Sequence, residues 1–205
     1  IYGAPFLADL TSLKNCKLKF LRLQYTNVKD LSPLANSDLN TVTIGETPIT
    51  TLKPILNQPI KDLSFIEFKP LDINELRSLK LEKVAFTYCQ ITNLNFLNTS
   101  LLKSVSLYGG SLTDISNLKN SPLEVLELIY TNVTNIDLLE NQNIKELNLT
   151  YSRIKNIEII GSLKKLETLF ITPQTLPPTW EETIRNMAGQ IKKMGTENNP
   201  NQFKT

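Results

Sequence analysis

The sequence predicts an α/β solenoid: a right-handed horseshoe with one parallel β-sheet on its concave side, short 3-10 turns on its convex side and a capping helix at its C-terminal end. Three observations predict it. Apolar residues return every 21 positions through most of the 205-residue chain. Each unit opens with apolar residues at its positions 1, 4 and 6, a pattern that suits an extended segment with one buried face. The period stops at Pro177-Pro178, and apolar residues then follow at helical spacing.

The clearest unit runs from Leu18 to Leu34, with Leu18, Leu21, Leu23, Val28, Leu31 and Leu34 at positions 1, 4, 6, 11, 14 and 17 and Thr26 at position 9. Units opening at Leu39, Ile60, Leu81, Leu102, Leu123, Ile144 and Leu166 keep this register, giving about eight repeats. The unit from Ile60 is irregular in its middle (Phe68, Leu71), and the one from Ile144 has 22 residues. Tyr2, Leu7, Leu10 and Leu13 fit positions 6, 11, 14 and 17 of a unit that lacks its first four residues, so the expectation is a piece of a longer protein. A 20–29-residue period with L-x-x-L-x-L strands is the signature of leucine-rich repeats.

The alternation sorts the residues. Positions 4 and 6 point to the interior, which only stacked units can bury, and positions 3, 5 and 7 point to the concave surface. Position 9 holds Thr26, Thr47, Cys89, Thr131 and Ser152, small polar side chains expected to bond the backbone and to stack as a ladder, with Phe68, Gly110 and Gln174 as exceptions. Position 13 holds Asp9, Asp30, Asp72, Asn93, Asp114, Asn135 and Asn156, read as caps of short convex turns. Pro33, in Asp30-Leu-Ser-Pro-Leu34, suits the first residues of such a turn. The expected organisation is a solenoid over 1–176 and a cap helix with tail over 177–205. In the latter, Thr179-Trp-Glu-Glu182 reads as a capping box, and Trp180, Ile184, Met187, Ala188, Ile191 and Met194 form the apolar stripe of a helix from about 180 to 194, ended by Gly195. That helix is expected to cover the last repeat; the alternative is a membrane-surface or partner-binding helix. Phe203 is a candidate anchor for the polar tail.

Composition argues against most chemistry. The formal net charge is +2, so no strong field points to nucleic acid or anionic lipid. There is no histidine, which removes the commonest general base and metal ligand. Two cysteines, Cys16 and Cys89, lie more than three repeats apart, about 15 Å or more, too far to bridge. A chain without disulfides fits either a reducing cytoplasm or an extracytoplasmic bacterial setting. No phosphate-binding glycine motif occurs, and Gly109-Gly110 falls at positions 8 and 9, where a turn is due. Glu181 and Glu182 sit in a helix's first turn, where the macrodipole favours them. Three N-x-[ST] triplets start at Asn98, Asn132 and Asn148 and matter only in a glycosylating pathway. No 18-residue apolar run spans a membrane, and Ile1 to Lys17 do not read as a signal peptide. The expectation is a protein that is not an enzyme, takes no cofactor or metal, and neither binds nucleic acid nor inserts this segment into a membrane.

What remains is the concave face. Five of the six tyrosines fall at positions 7 or 8: Tyr25, Tyr88, Tyr108, Tyr130 and Tyr151. The last four come from consecutive repeats, within reach of one another. With Phe20, Arg22, Ile66, Ile129 and Phe170 they form the candidate partner-binding surface for a protein or peptide ligand. The competing reading is that the tyrosines shield the strand-to-loop corner and serve stability alone.

The unit L-x-x-L-x-L-x-x-T-x-V-x-D-L-S-P-L, whole at Leu18 to Leu34, resembles the bacterial leucine-rich repeats joined to serine/threonine kinases or other signalling modules in planctomycete-like bacteria. The stretch Ile184 to Phe203, with Ile191-Lys-Lys-Met-Gly195, is similar to the closing segment of that group. The repeats are also similar to those of internalins, which usually have 22 residues and Asn at position 9. The resemblance implies a protein-binding module, the recognition or regulatory part of a larger signalling protein; the alternative is a structural or adhesion repeat without a specific concave ligand. A kinase domain is absent from this chain, because without histidine there is no H-R-D loop.

Overall fold

The structure, a computed structural model, describes residues 1–68, 73–140, 142–187 and 189–196. The expectations at Leu71, Asp72, Ala188 and Phe203 lie outside the described residues. Positions 3 to 7 of each unit form the strands β1 (Phe20–Gln24), β2 (Thr41–Gly45), β3 (Asp62–Ile66), β4 (Lys83–Thr87), β5 (Ser104–Tyr108) and β6 (Val125–Ile129), followed by the shorter β7 (Glu146–Leu149) and β8 (Thr168–Ile171). Consecutive strands pair in parallel in one sheet, each residue beside its equivalent one repeat later: Leu21 with Val42, Val42 with Leu63, Leu63 with Val84. Glu146 beside Thr168 restores the register after the 22-residue unit.

The alternation places the core as the period requires. Leu21, Leu63 and Leu126 are buried, whereas Arg22 is exposed and Glu127 half-buried on the opposite face. Leu, Ile and Val at positions 1, 4, 6, 11, 14 and 17 stack into one continuous core cluster. Where Phe68 replaces the usual small residue, it stacks on Phe65 at 5.0 Å; Phe65 stacks on Phe86 at 5.6 Å, and Phe86 meets Phe96 edge-on at 5.9 Å. These rings interrupt the expected position-9 ladder. A side-chain contact of the expected kind joins Thr131 and Ser152, 3.4 Å apart, with Ser152 Oγ donating to the Leu128 carbonyl; the consecutive Thr26 and Thr47 make none. The Thr26 and Thr47 hydroxyls are buried with no hydrogen-bond partner.

Short 3-10 turns fill the convex side, among them Ser32–Leu34, Lys53–Ile55, Ser116–Asn120 and Asp137–Leu139. The predicted position-13 side chains bond the amides at the turn entries, from one residue before each N-cap. Asp30 accepts from the Ser32 amide at 2.8 Å, and Asp9, Asp114, Asn135 and Asn93 do the same two residues on. Asn156 differs: it accepts from the Ile136 amide of the preceding repeat at 3.1 Å. Thr51 occupies position 13 of its unit, and there Glu75 reaches back from the next repeat to accept from the Leu52 amide at 2.8 Å and from the Thr51 hydroxyl.

The C-terminal helix is present but shorter than expected. α1 spans Trp180–Asn186 and packs on the Ile157–Ser162 turn, with Met187 buried behind it. The capping box does not form: Thr179 takes a helical conformation, and its hydroxyl donates to Glu158 at 2.8 Å. The helix ends at Asn186, and β9 (Lys193–Thr196) adds to the sheet beside β8. Ile191 and Met194 thus continue the 1-and-4 pattern of a strand, and Gly195 pairs with Phe170 rather than ending a helix.

Position 2 carries an arrangement that face-by-face reading does not reveal. Lys61, Glu82, Lys103, Glu124, Lys145, Glu167 and Lys192 follow one another across the strand entries, joined by backbone hydrogen bonds of 2.8 Å from each amide to the preceding carbonyl. Their side chains alternate in sign and pair: Lys61–Glu82 at 2.7 Å, Glu82–Lys103 at 3.1 Å, Glu124–Lys145 at 2.7 Å and Glu167–Lys192 at 2.8 Å. Hydrogen bonds from Lys61 and Lys103 hold Glu82 below the usual carboxylate range, and Lys145 does so for Glu124. The Ser32 and Thr11 hydroxyls likewise lower Asp30 and Asp9. Glu82 and Glu124 in turn raise Lys61 and Lys145.

Leu126→Ala removes a fully buried side chain and lowers unfolding stability by about 2–5 kcal/mol in urea titrations. The depressed carboxylates stabilise the fold above their unfolded values, and that contribution disappears as pH falls from about 4.5 through the lower folded values. The raised lysines act oppositely, losing their contribution as pH rises past the ordinary lysine value. Glu82→Gln therefore flattens the acid limb of a melting-temperature-against-pH curve, and Lys61→Met the alkaline limb.

Candidate functional site

The outward face and its rim are built by one backbone event. At the ends of β1 to β6 the position-8 amide still donates to the position-7 carbonyl of the next repeat, as Tyr25 to Gly45 at 3.2 Å, Glu67 to Thr87 at 2.8 Å and Tyr88 to Tyr108 at 2.7 Å; after β7 the Tyr151 amide donates to the Thr172 hydroxyl instead, at 3.0 Å. The chain then turns inward through a left-handed conformation at that same residue. Tyr25, Glu46, Glu67, Tyr88, Tyr130 and Tyr151 all have φ between 45° and 56°, and Gly109 has φ 68°. Large side chains are thus held in a conformation that disfavours them, each at a fixed place along the rim.

The tyrosines touch. Tyr88 and Tyr108 meet edge-on with centroids 4.9 Å apart, Tyr108 and Tyr130 at 5.8 Å, and Tyr130 and Tyr151 stack at 4.4 Å. Tyr108 is at position 7, so its repeat offers Gly109 at position 8. A Cβ there would lie 2.6 Å from the Tyr88 ring, so the missing side chain is what lets the Tyr88 ring lie over its neighbour. Tyr88 is 52% exposed, while Tyr108, Tyr130 and Tyr151 are half-buried. Beneath this row the face is more closed than the alternation suggests. Ile129 is only 4% exposed: it lies in register beside Tyr108 and precedes Tyr130, so the row shields it. Asn148, Thr150 and Thr172 are buried as well, with Asn148 Oδ1 accepting from the Thr150 amide and hydroxyl. The Asn148 triplet is therefore closed to modification.

A second group forms at the first strand. Phe20 is 73% exposed and Tyr25 41% exposed. Arg22 Nε donates to Gln24 Oε1 at 2.6 Å, and its guanidinium sits 5.8 Å from the Tyr2 ring centre. The period places Tyr2 inside at position 6, but it is 66% exposed: it bridges Gln24, a position-7 residue, and the Gly3 amide donates to the Gln24 carbonyl as position-8 amides do, so the first unit is offset by one residue and Tyr2 faces outward, its ring meeting Tyr25 edge-on at 5.3 Å. The Tyr25 hydroxyl bonds Glu46, and that hydrogen bond, together with the carboxylate's charge, pushes its pKa up to about 12. Ile66 lies between the two groups, half-buried. Phe170 stands apart on β8: its ring covers Gly195, where a Cβ would lie 2.3 Å away, and Lys193 Nζ sits 5.3 Å from its centre.

The convex side offers little chemistry. An open cleft of about 580 Å³ is lined by Asp114, Ser116, Asn135 and Asp137, but these side chains are engaged in turn hydrogen bonds. Cys16 and Cys89 are free thiols, and burial pushes the Cys89 thiol up, away from reactivity. Among the described residues no group of three or more acidic or cysteine side chains forms a metal site, and no helix is long and apolar enough to cross a membrane.

The left-handed rim makes a sharp prediction. Glu67→Gly relieves an unfavourable conformation and raises stability by about 0.5–1 kcal/mol, a gain of a few degrees in Tm. In an ordinary strand the same change lowers stability by a similar amount.

No protein-family model and no curated protein sequence matches the chain. Solved structures do. An internalin (inlF) from Listeria monocytogenes superposes with a TM-score of 0.68 at 26% identity, over 94% of this chain and 65% of that one. An internalin C2 from the same organism gives a TM-score of 0.55 at 19% identity, over 91% of this chain and 74% of that one. A leucine-rich-repeat protein of Leptospira interrogans gives 0.54 at 18%, over 93% and 62%. The chain thus spans about two thirds of the length of the first of these. Repeat length, register and these likenesses together make the chain a leucine-rich-repeat solenoid similar in fold to those of bacterial internalins.

Proposed function

We propose that the chain is a protein- or peptide-binding module that uses the outward face of its sheet and the aromatic rim beside it. The observation that carries this reading is the set of aromatic side chains, Phe20, Tyr25 and Tyr88 foremost, held exposed on a backbone fixed by sheet hydrogen bonds. Exposed aromatic residues on a rigid frame supply large contact area with little entropy left to lose, which is what interface anchors need. The tyrosine contacts serve the frame as well as the surface: they set where Tyr88 points. Phe20, Arg22, Tyr25, Ile66, Tyr88, Tyr108, Tyr130 and Tyr151 are the residues assigned to contact, with Phe170 at the far end. Ile129 supports the row from below. The finer role, recognition or regulation within a larger bacterial signalling protein, rests on the resemblance of the 21-residue unit to kinase-linked bacterial repeats. Repeat modules of this kind commonly serve protein interaction.

A library of random dodecapeptides displayed on phage and selected on the immobilised chain tests the surface. Selected peptides are expected to lose about tenfold in affinity on Phe20→Ser/Tyr88→Ser, about 1.4 kcal/mol, at an unchanged circular dichroism spectrum. Peptides that ignore this variant and instead lose affinity on convex substitutions such as Lys29→Glu or Lys155→Glu contradict the assignment.

A further inference from the structure

The rim is not chemically uniform. Between β1 and β4 its position-8 residues read Tyr25, Glu46, Glu67 and Tyr88, two exposed carboxylates flanked by two exposed rings. All four occupy the same left-handed backbone position in consecutive repeats. Neighbouring strands lie about 4.8 Å apart, so the four residues line about 14 Å of rim, roughly the reach of four extended peptide residues. The neighbouring position-7 residues, Gly45, Ile66 and Thr87, add no charge, and no lysine or arginine occurs at position 7 or 8 of any repeat. The Tyr25 hydroxyl interacts with the Glu46 carboxylate, so ring and carboxylate lie side by side on the rim.

Resting on the binding role proposed above, we propose that this stretch of rim takes a basic peptide segment, with lysine or arginine side chains at alternate positions entering between Tyr25 and Tyr88 to meet Glu46 and Glu67. Carboxylates and ring faces make separate demands, and a cationic side chain with an aliphatic stem meets both. The molecule's own cations already pair with rings on this face: the Arg22 guanidinium lies 5.8 Å from the Tyr2 ring centre, and Lys193 Nζ lies 5.3 Å from that of Phe170. An acidic segment meets two like charges here, and a purely apolar one desolvates both carboxylates without offering a countercharge.

The test is fluorescence anisotropy with labelled hexapeptides carrying lysine, glutamine or glutamate at the second and fourth positions of an otherwise Gly/Thr sequence. The lysine peptide is expected to bind saturably, the glutamine peptide about tenfold more weakly and the glutamate peptide not measurably. Glu46→Gln/Glu67→Gln, nearly isosteric, is expected to weaken the lysine peptide about tenfold with Tm retained, while Glu181→Gln/Glu182→Gln on α1 leaves it unchanged. Absence of saturable binding by the lysine peptide overturns the proposal. So does equal weakening by the two double variants, which marks diffuse charge attraction. If phage-selected peptides lose affinity on Phe20→Ser/Tyr88→Ser yet carry no excess of lysine or arginine and ignore Glu46→Gln/Glu67→Gln, the recognition surface stands and the basic-ligand assignment alone falls.

Discussion

Everything in this chain depends on the burial of one coil's apolar row against the next. A 21-residue loop with six apolar side chains has no interior of its own. Stacked in register, the same side chains become a continuous core in which Leu23, Ile44, Phe65, Phe86, Leu107 and Leu128 succeed one another. Parallel pairing follows, because each coil must return to the same place before the next strand begins. A shift by a single residue would turn every buried side chain outward, so register is strongly specified. The Lys–Glu alternation at position 2 reinforces it, since a slip by one repeat places like charges side by side.

The same constraint creates the surface. The chain must leave the sheet within one residue of its last hydrogen bond, and it does so through a left-handed position occupied by tyrosine and glutamate where glycine suits the backbone better. The strain, about 1 kcal/mol or more at each such residue, is tolerated because the flanking strand amides and the buried apolar row fix the backbone on both sides. In return, bulky side chains stand at regular intervals on a frame that has little freedom to move them. Rings touch where consecutive repeats both supply them, and stay open where carboxylates intervene.

Much of this was legible in the sequence. Strand positions, the inward row, the 3-10 turns with Asp and Asn at their entries, and the contact between the tyrosines follow from period and alternation alone. What was not legible has specific causes. Apolar residues at i and i+3, as Ile191 and Met194, belong equally to a helix and to an L-x-x-L strand, so spacing alone does not separate the ninth strand from a longer helix. Thr179-x-x-Glu182 has the composition of a capping box, but Glu158, a convex residue far off in sequence, takes the threonine hydroxyl. Ile129 alternates outward and is still buried, because its cover comes from side chains one residue and one repeat away. The position-2 charges leave no mark in the alternation, because they belong to neither face of a strand. Glu46 and Glu67, now central to the basic-segment proposal, carried no signal beyond their shared place in the period.

The central claim is that the strands form one in-register parallel sheet sealed by the apolar row, with the convex turns outside it. Residue-resolved amide hydrogen exchange measures this directly. The account predicts the slowest exchange at the strand amides of the middle repeats, around Leu63, Val84, Val105 and Leu126, together with the position-8 amides such as Glu67 and Tyr88, and faster exchange across the convex turns between them. Strand amides that exchange as fast as those turns, or protection grouped in helical blocks on the convex side, would contradict it.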